Sequence, residues 1–308
     1  MTKNKKLALL AATCLSAASP GAAHASEIKI GLLDTEISTS LDDRPNLSII
    51  LGPKAPDRPG YHRASYPIAD AMISHGDLMV HGIIDGVDRT LGSGGAIMIF
   101  HANPFLEKDG SGGKLAVDWR AAHEALSWYH ENGVKVVVTS FVNEKTAATE
   151  HFMKTAEELG LQIITSTGNK RADFAPWPAS HHAAISVAGT NKGLRVNYDS
   201  VLEGIVDLVI DGEPAINFSR TGFGKKDATS SSYATARAGG MIAALVCTFD
   251  LEGREEIMEV LHGHTEPRQF GKFTYDFLDF DALSPGVWAA YQMAVKLGDG
   301  GGGLSPGM

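Results

Sequence analysis

The chain has 308 residues, 44% hydrophobic and 20% charged, with a formal net charge of −9. That size allows one large core or two small ones. The acidic balance argues against nucleic acid or an anionic membrane surface as the main partner.

Lys3, Lys5 and Lys6 make a basic start, and Leu7 to Ala18 form an apolar run too short to span a bilayer. Ala23-His24-Ala25 supplies the small residues of a cleavage site before Ser26. Residues 1–25 are therefore expected to be a signal peptide, with the remainder exported to the periplasm or the medium. Thr13 fits poorly with a lipoprotein reading built on Cys14. No second apolar run approaches 18 residues, so no membrane span is expected. Once Cys14 leaves with the signal, Cys247 is alone and reads as a small buried hydrophobe.

Glu27-Ile-Lys-Ile-Gly-Leu-Leu-Asp34 alternates and then turns wholly apolar, as a strand buried on both faces does. Thr35 to Ser65 is rich in Pro, Asp, Gly and Ser and reads as a long loop. Helical spacing of Ile68, Met72, Met79 and Ile83 predicts a helix across Pro67 to Ile84. Ala96 to His101 reads as a strand, Asp109 to Gly113 as a turn, and Leu115 to Glu131 as an amphipathic helix ended by Asn132-Gly133. Val134 to Thr139 and Leu161 to Thr165 read as buried strands around a helix from Ala147 to Leu159. Ala183 to Ala188 and Gly204 to Ile210 are further short strands. Tyr233 to Phe249 is a long helix, and the Gly-rich residues 298–308 read as a disordered tail. Strands alternating with helices call for an α/β fold: a doubly wound, mostly parallel sheet with helices on both faces.

In such a sheet, functional groups gather at the carboxyl ends of strands. Asp34 ends the first strand, where a carboxylate can orient an imidazole. Ser74-His75-Gly76-Asp77 opens a helix, and the glycine gives a neighbour room to approach His75. His81, further along the same helix, is a weaker rival. Leu161 to Thr167 runs into Gly168-Asn169, and a side-chain amide just beyond a strand end can donate to an oxyanion. Ser230-Ser-Ser-Tyr-Ala-Thr-Ala-Arg-Ala-Gly-Gly-Met-Ile-Ala-Ala-Leu245 leads three hydroxyls into an Ala/Gly-rich apolar helix. Hydroxyls there are common caps. A serine on that first turn would also sit near free backbone N–H groups, where a nucleophile that makes an oxyanion is placed.

Asp34, His75, Asn169 and Ser232, in that order, resemble the site of the subtilisin-like serine proteases over about residues 28 to 250. Ile-Gly-Leu-Leu-Asp34-Thr looks like the family's aspartate motif and Ser-His75-Gly its histidine motif. Thr-Ser-Thr-Gly168-Asn169 resembles its oxyanion asparagine. Ser231-Ser232-Tyr-Ala-Thr-Ala resembles its Gly-Thr-Ser-x-Ala serine motif. The Asp, His, Ser order is neither that of the α/β-hydrolases nor that of the chymotrypsin-like proteases.

The resemblance implies a catalytic domain over residues 26–297 and a triad of Asp34, His75 and Ser232 with Asn169 as oxyanion donor. It implies substrate contacts at Ser140, Phe141, Val142 and Gly168, a cis Trp177-Pro178 peptide, and a peptide or protein substrate. The implied activity is that of an exported serine endopeptidase. A catalytically inactive domain that binds peptides or partners is the alternative. Structural calcium is common in the family; no ligand set for it, and no other cofactor, can be assigned from this sequence.

Four positions depart from the family pattern. Glu36 stands where glycine is usual, Ser230-Ser231 replaces Gly-Thr, and Asp77 to His81 adds one residue. Val142 stands where the family has glycine beside the pocket for the residue before the cut, which predicts small substrate side chains there. Only Ser26 to Leu33 lie between the cleavage site and Asp34, leaving no room between them for an inhibitory prodomain. His181-His182 has no metal-ligand partners at diagnostic spacing. Gly92 to Ile97 and Gly222 to Lys226 lack the spacing of nucleotide-binding loops.

Overall fold

The computed structural model describes residues 27–37, 44–63, 74–109, 115–168, 176–191, 195–196, 205–212, 231–270 and 273–279, with a few positions up to 288. The expected signal peptide, the Gly-rich tail, Asn169, Ser230 and the Gly222–Lys226 segment lie outside them.

Apolar strands buried on both faces make the centre. The strands are β1 (Ile28–Leu33), β2 (Leu47–Lys54), β3 (Tyr61–Arg63), β4 (Ile97–Asn103), β5 (Phe105–Lys108), β6 (Leu115–Val117) and β7 (Val136–Thr139). They continue with β8 (Gln162–Ser166), β9 (Ile185–Asn191), β10 (Arg195–Val196), β11 (Leu208–Asp211), β12 (Thr265–Phe270) and β13 (Phe273–Leu278). The helices are α1 (His75–Leu91), α2 (Trp119–Glu131), α3 (Ala147–Glu158), α4 (Ser231–Phe249) and α5 (Gly253–His262).

The main sheet runs β12-β13-β11-β9-β8-β7-β1-β4-β2, with β10 attached to β9. All pairings from β11 to β2 along that path are parallel; β12–β13 and β9–β10 are antiparallel. β3, β5 and β6 form a small antiparallel sheet. Alternate residues of one strand serve two cores. Val136 and Val138 face the apolar cluster with Met79, Ile83 and Ile242, while Val137 faces the one with Leu126, Tyr129 and Phe152. Helices α1, α4 and α5 thus cover one face and α2 and α3 the other, the doubly wound α/β layering expected.

Several expected elements differ. The supposed loop from Thr35 to Ser65 contains β2 and β3. β2 is an edge strand pairing with β4 alone, so its sequence lacks the continuous apolar run of β1. Of the helix expected across Pro67 to Ile84, residues 67–73 lie outside the described ones; α1 opens at residue 75 and runs on to Leu91, capped by Ser74, whose hydroxyl accepts from the Asp77 amide while the Asp77 carboxylate accepts from the Ser74 amide. Leu115–Val117 is a strand, and α2 begins after the Asp118 cap. Helix α5 and the β12–β13 hairpin were not expected. Trp177-Pro178 is cis. Cys247 is a half-buried thiol packed against the first core.

α1 and α4 lie against each other with almost no side chains between them. A Cβ on Gly86 would meet the Arg237 carbonyl, one on Gly240 the Ile83 carbonyl, and one on Gly82 the Cβ of Ala236. Gly82 faces Tyr233 to Arg237 and Gly86 faces Arg237 to Met241, so the helices run in the same direction, with the first turn of α4 beside the second turn of α1. Asp85 of α1 and Arg237 of α4 close the interface with a 2.6 Å ion pair, Arg237 being 2% exposed.

Candidate active site

Residues 34–36, 140–142 and 167–168 follow the carboxyl ends of β1, β7 and β8, three adjacent strands. The first turns of α1 and α4 come to the same edge.

Asp34 is held by its neighbour. One oxygen, Oδ1, accepts from the Thr35 amide at 2.7 Å and the Thr35 hydroxyl at 3.1 Å. The same oxygen lies 2.7 Å from His75 Nδ1. A carboxylate can only accept, so Nδ1 carries the proton and Nε2 is left free of it in the neutral ring. The Thr35 hydroxyl also accepts from the Gly76 amide at 3.1 Å, tying the strand end to the helix start. Gly76 is required for that approach: a Cβ there would stand 2.5 Å from the Thr35 carbonyl and 2.8 Å from that of Glu36. The buried His101 on β4 adds a bond to the same turn, its Nε2 donating to the Thr35 carbonyl at 2.8 Å. Burial lowers the His101 pKa despite that bond and the nearby Asp34 and Glu36 charges, which keeps the ring neutral and donating. Motif reading did not single out His101. Its register opposite Leu32, two residues before Asp34, is the signal that finds it.

Burial opposes charging of His75, but the Asp34 charge and hydrogen bond together outweigh it, and the His75 pKa is raised above the ordinary value. The ring is 19% exposed, so it can still be reached.

Ser231 and Ser232 occupy the first turn of α4, at 0% and 6% exposure. Ser231 Oγ is engaged with Ser166 Oγ at 2.7 Å, and Ser166 Oγ also accepts from the Gly168 amide at 3.0 Å. Gly168 has φ +89°, a left-handed conformation that glycine adopts without penalty. Glu36 is exposed.

The four expected substrate-contacting positions differ in character. Ser140 Oγ donates to the Met79 sulfur at 3.4 Å. The Phe141 ring packs edge-on into a cluster with Phe105, Trp119 and Phe152. Val142 lies against Gly168: a Cβ on Gly168 would come within 3.2 Å of a Val142 methyl.

At the opposite, amino edge of the sheet is a cavity of about 640 Å³ lined by Lys135, Leu161, Ala183, Arg254 and others. None of Asp34, His75 or Ser232 borders it. Beside it the fold brings Glu157 to His181 and His182, with Nε2–carboxylate distances of 3.9 and 3.2 Å. Two imidazoles and one carboxylate do not suit calcium, which takes oxygen ligands. The Ala183 amide donates to His181 Nδ1 at 3.2 Å, so the ring's proton lies on Nε2, facing Glu157. Burial, then the His182 charge, lower the His181 pKa.

A model of the subtilase family, peptidase S8, matches residues 25–271, about four fifths of the chain. The chain belongs to the subtilase family, whose members are serine peptidases. Among solved structures it is similar to the prenylagaramide maturation protease PagA, with a TM-score of 0.56, 14% identity, and coverage of 87% of this chain and 90% of that one. At that identity the likeness speaks for the fold. A comparison with curated proteins finds no match. Among the described residues, no single helix is long and apolar enough to cross a membrane.

Proposed function

We propose that the chain is an exported serine endopeptidase with Ser232 as nucleophile, His75 as general base and acid, and Asp34 as the group that orients His75. The observation that carries this is the 2.7 Å bond from His75 Nδ1 to Asp34 Oδ1, which fixes the tautomer that leaves Nε2 able to take a proton. The bonds of His75 to Asp34 after β1 and of Ser231 to Ser166 at the end of β8 support it by bringing both helix starts to the carboxyl edge of the sheet. The engagement of Ser231 with Ser166 favours Ser232 over its neighbour.

In this reading Ser232 Oγ attacks the peptide carbonyl carbon as its proton passes to His75 Nε2. The carbonyl π pair moves onto oxygen, where the Ser232 amide and the Asn169 side chain donate to it. Collapse of the tetrahedral adduct expels the amine, which takes the proton from His75 and leaves an acyl-enzyme. Water, deprotonated by the same imidazole, then releases the acid. Asp34 stays ionised and stabilises the imidazolium. That matches the raised His75 pKa.

Val142 against Gly168 narrows the space beside the oxyanion loop and supports a preference for small side chains before the cut. A restricted pocket also favours a narrower version of the same role, maturation of one particular peptide. The structurally similar PagA is itself named as a maturation protease. Cleavage of unfolded casein would exclude that narrow version.

A fluorophosphonate probe tests the proposal on the purified, folded protein. Labelling of wild type that is abolished in Ser232→Ala is expected. A folded wild type that takes no label points instead to an inactive, peptide-binding domain. Label that survives in Ser232→Ala moves the nucleophile elsewhere.

A further inference from the structure

Between the strand that leads to Asn169 and the helix that carries Ser232 stands a buried pair of hydroxyls. Ser166 closes β8 and Ser231 opens α4, at 1% and 0% exposure, with their oxygens 2.7 Å apart. Ser166 Oγ is at the same time the acceptor for the Gly168 amide at 3.0 Å. Gly168 is held at φ +89° and precedes Asn169 directly. A second bond anchors the other end: the Thr235 hydroxyl donates to the Ser231 carbonyl at 2.7 Å, within the first turns of α4. The Gly168 amide, Ser166 hydroxyl and Ser231 hydroxyl therefore form one continuous chain from the loop to the helix.

We infer that Ser166 and Ser231 are positioning residues that fix the turn at Gly168 against the first turn of α4, and with it the Ser232 amide of the oxyanion site. The inference rests on the serine-peptidase reading above. One donor, the Ser232 amide, belongs to the residue after Ser231; the other, the Asn169 side chain, belongs to the residue after Gly168. An oxyanion site works through donors fixed before charge develops, and misplacing a group by about 1 Å costs about 100-fold in rate. In low dielectric the hydroxyl chain is short, satisfied and stiff, and each bond polarises the next. It also gives the departure from Gly-Thr before the nucleophile a purpose, because the Ser231 hydroxyl turns toward β8.

The test is the kinetics of fluorophosphonate labelling, whose transition state also places charge on an oxygen in that site. Saturation curves separate the initial affinity of the probe from its maximal rate of reaction. Ser166→Ala should lower the maximal rate about 10- to 100-fold while the half-saturating concentration stays within about twofold. Ser231→Ala opens the same link but leaves Ser166 holding Gly168, so a smaller loss, about 3- to 10-fold, is expected. The double variant should be no slower than Ser166→Ala alone, because both changes break one link. A maximal rate unchanged within twofold in folded Ser166→Ala overturns the inference, as does an equal loss in both parameters. If Ser166→Ala does not fold, Ser231→Ala decides by the same criteria. Absence of label in wild type would instead refute the peptidase reading itself.

Discussion

The two faces of the main sheet are packed by opposite means. On one face, α1 and α4 approach through glycines, backbone against backbone, with Gly82, Gly86 and Gly240 at the contacts and one buried ion pair between them. On the other face, α2, α3 and their neighbours fill space with rings: Phe141, Phe105, Trp119 and Phe152 interlock, and Phe100 meets Trp128 edge-on at 5.4 Å. The difference separates two tasks. The aromatic face buries area. The glycine face fixes the relative position of two helices, and those helices carry His75 and Ser232.

The largest expected effect leaves both faces intact. Asp34→Asn should lower kcat by about 10⁴-fold, the scale known for loss of the orienting carboxylate in a triad. It also reports on His75. In wild type the raised pKa places the acid limb of the kcat/KM profile above the ordinary histidine value, since only the neutral ring accepts a proton. Removing the carboxylate leaves burial as the main influence, so the limb should move down. Stability follows the same sign. The Asp34–His75 contribution is fully present below the unfolded histidine pKa and is lost as pH rises through the raised folded value. Urea unfolding at several pH values should show that loss in wild type and not in the variant.

Next is the ion pair that joins α1 to α4. Arg237→Ala removes the closer, buried cation of Asp85, leaving Arg89 at 3.8 Å, and should cost up to about 3–5 kcal/mol in denaturant unfolding. Phe152→Ala should cost a similar 3–5 kcal/mol by leaving a cavity, yet the folded fraction should keep wild-type kcat. Gly240→Ala reverses the balance. Its added Cβ meets the Ile83 carbonyl, so about 1–3 kcal/mol of stability is lost by overpacking while kcat falls measurably. If Phe152→Ala lowers kcat as much as Gly240→Ala does, the division of labour between the faces is wrong.

The same contrast decides what could be read from the sequence. Strands buried on both faces announce themselves, and β1, β4, β7 and β8 fall within one to two residues of expectation. Edge elements do not: β2 has one partner and a mixed burial pattern, and β12 carries Pro267. Leu115–Val117 continues the apolar rhythm of α2 and reads as its first turn, though the Asp118 cap separates them. At the site, the aspartate and histidine could be found from motif order, because strand ends and helix caps are local signals. The Asp34–His75 contact spans 41 residues of sequence, and its distance depended on tertiary packing. The Ser166–Ser231 pair was invisible for the same reason: two serines in ordinary strand-end and helix-start positions become one feature only when β8 and α4 meet.

The first turns of α1 and α4 differ in one further respect. An α-helix carries about half a unit of positive charge at its amino end, and an acid placed there compensates it. Asp77, fully buried in the cap of α1, does so beside His75, whereas the first turn of α4 holds no acid. In the proposed mechanism the first dipole is thus quenched where an imidazolium would form. The described first turn of α4 carries no such acid where a carbonyl oxygen would become negative. In a chain whose net charge is −9, this assigns opposite electrostatic characters to two neighbouring turns, through a single carboxylate that never meets the substrate.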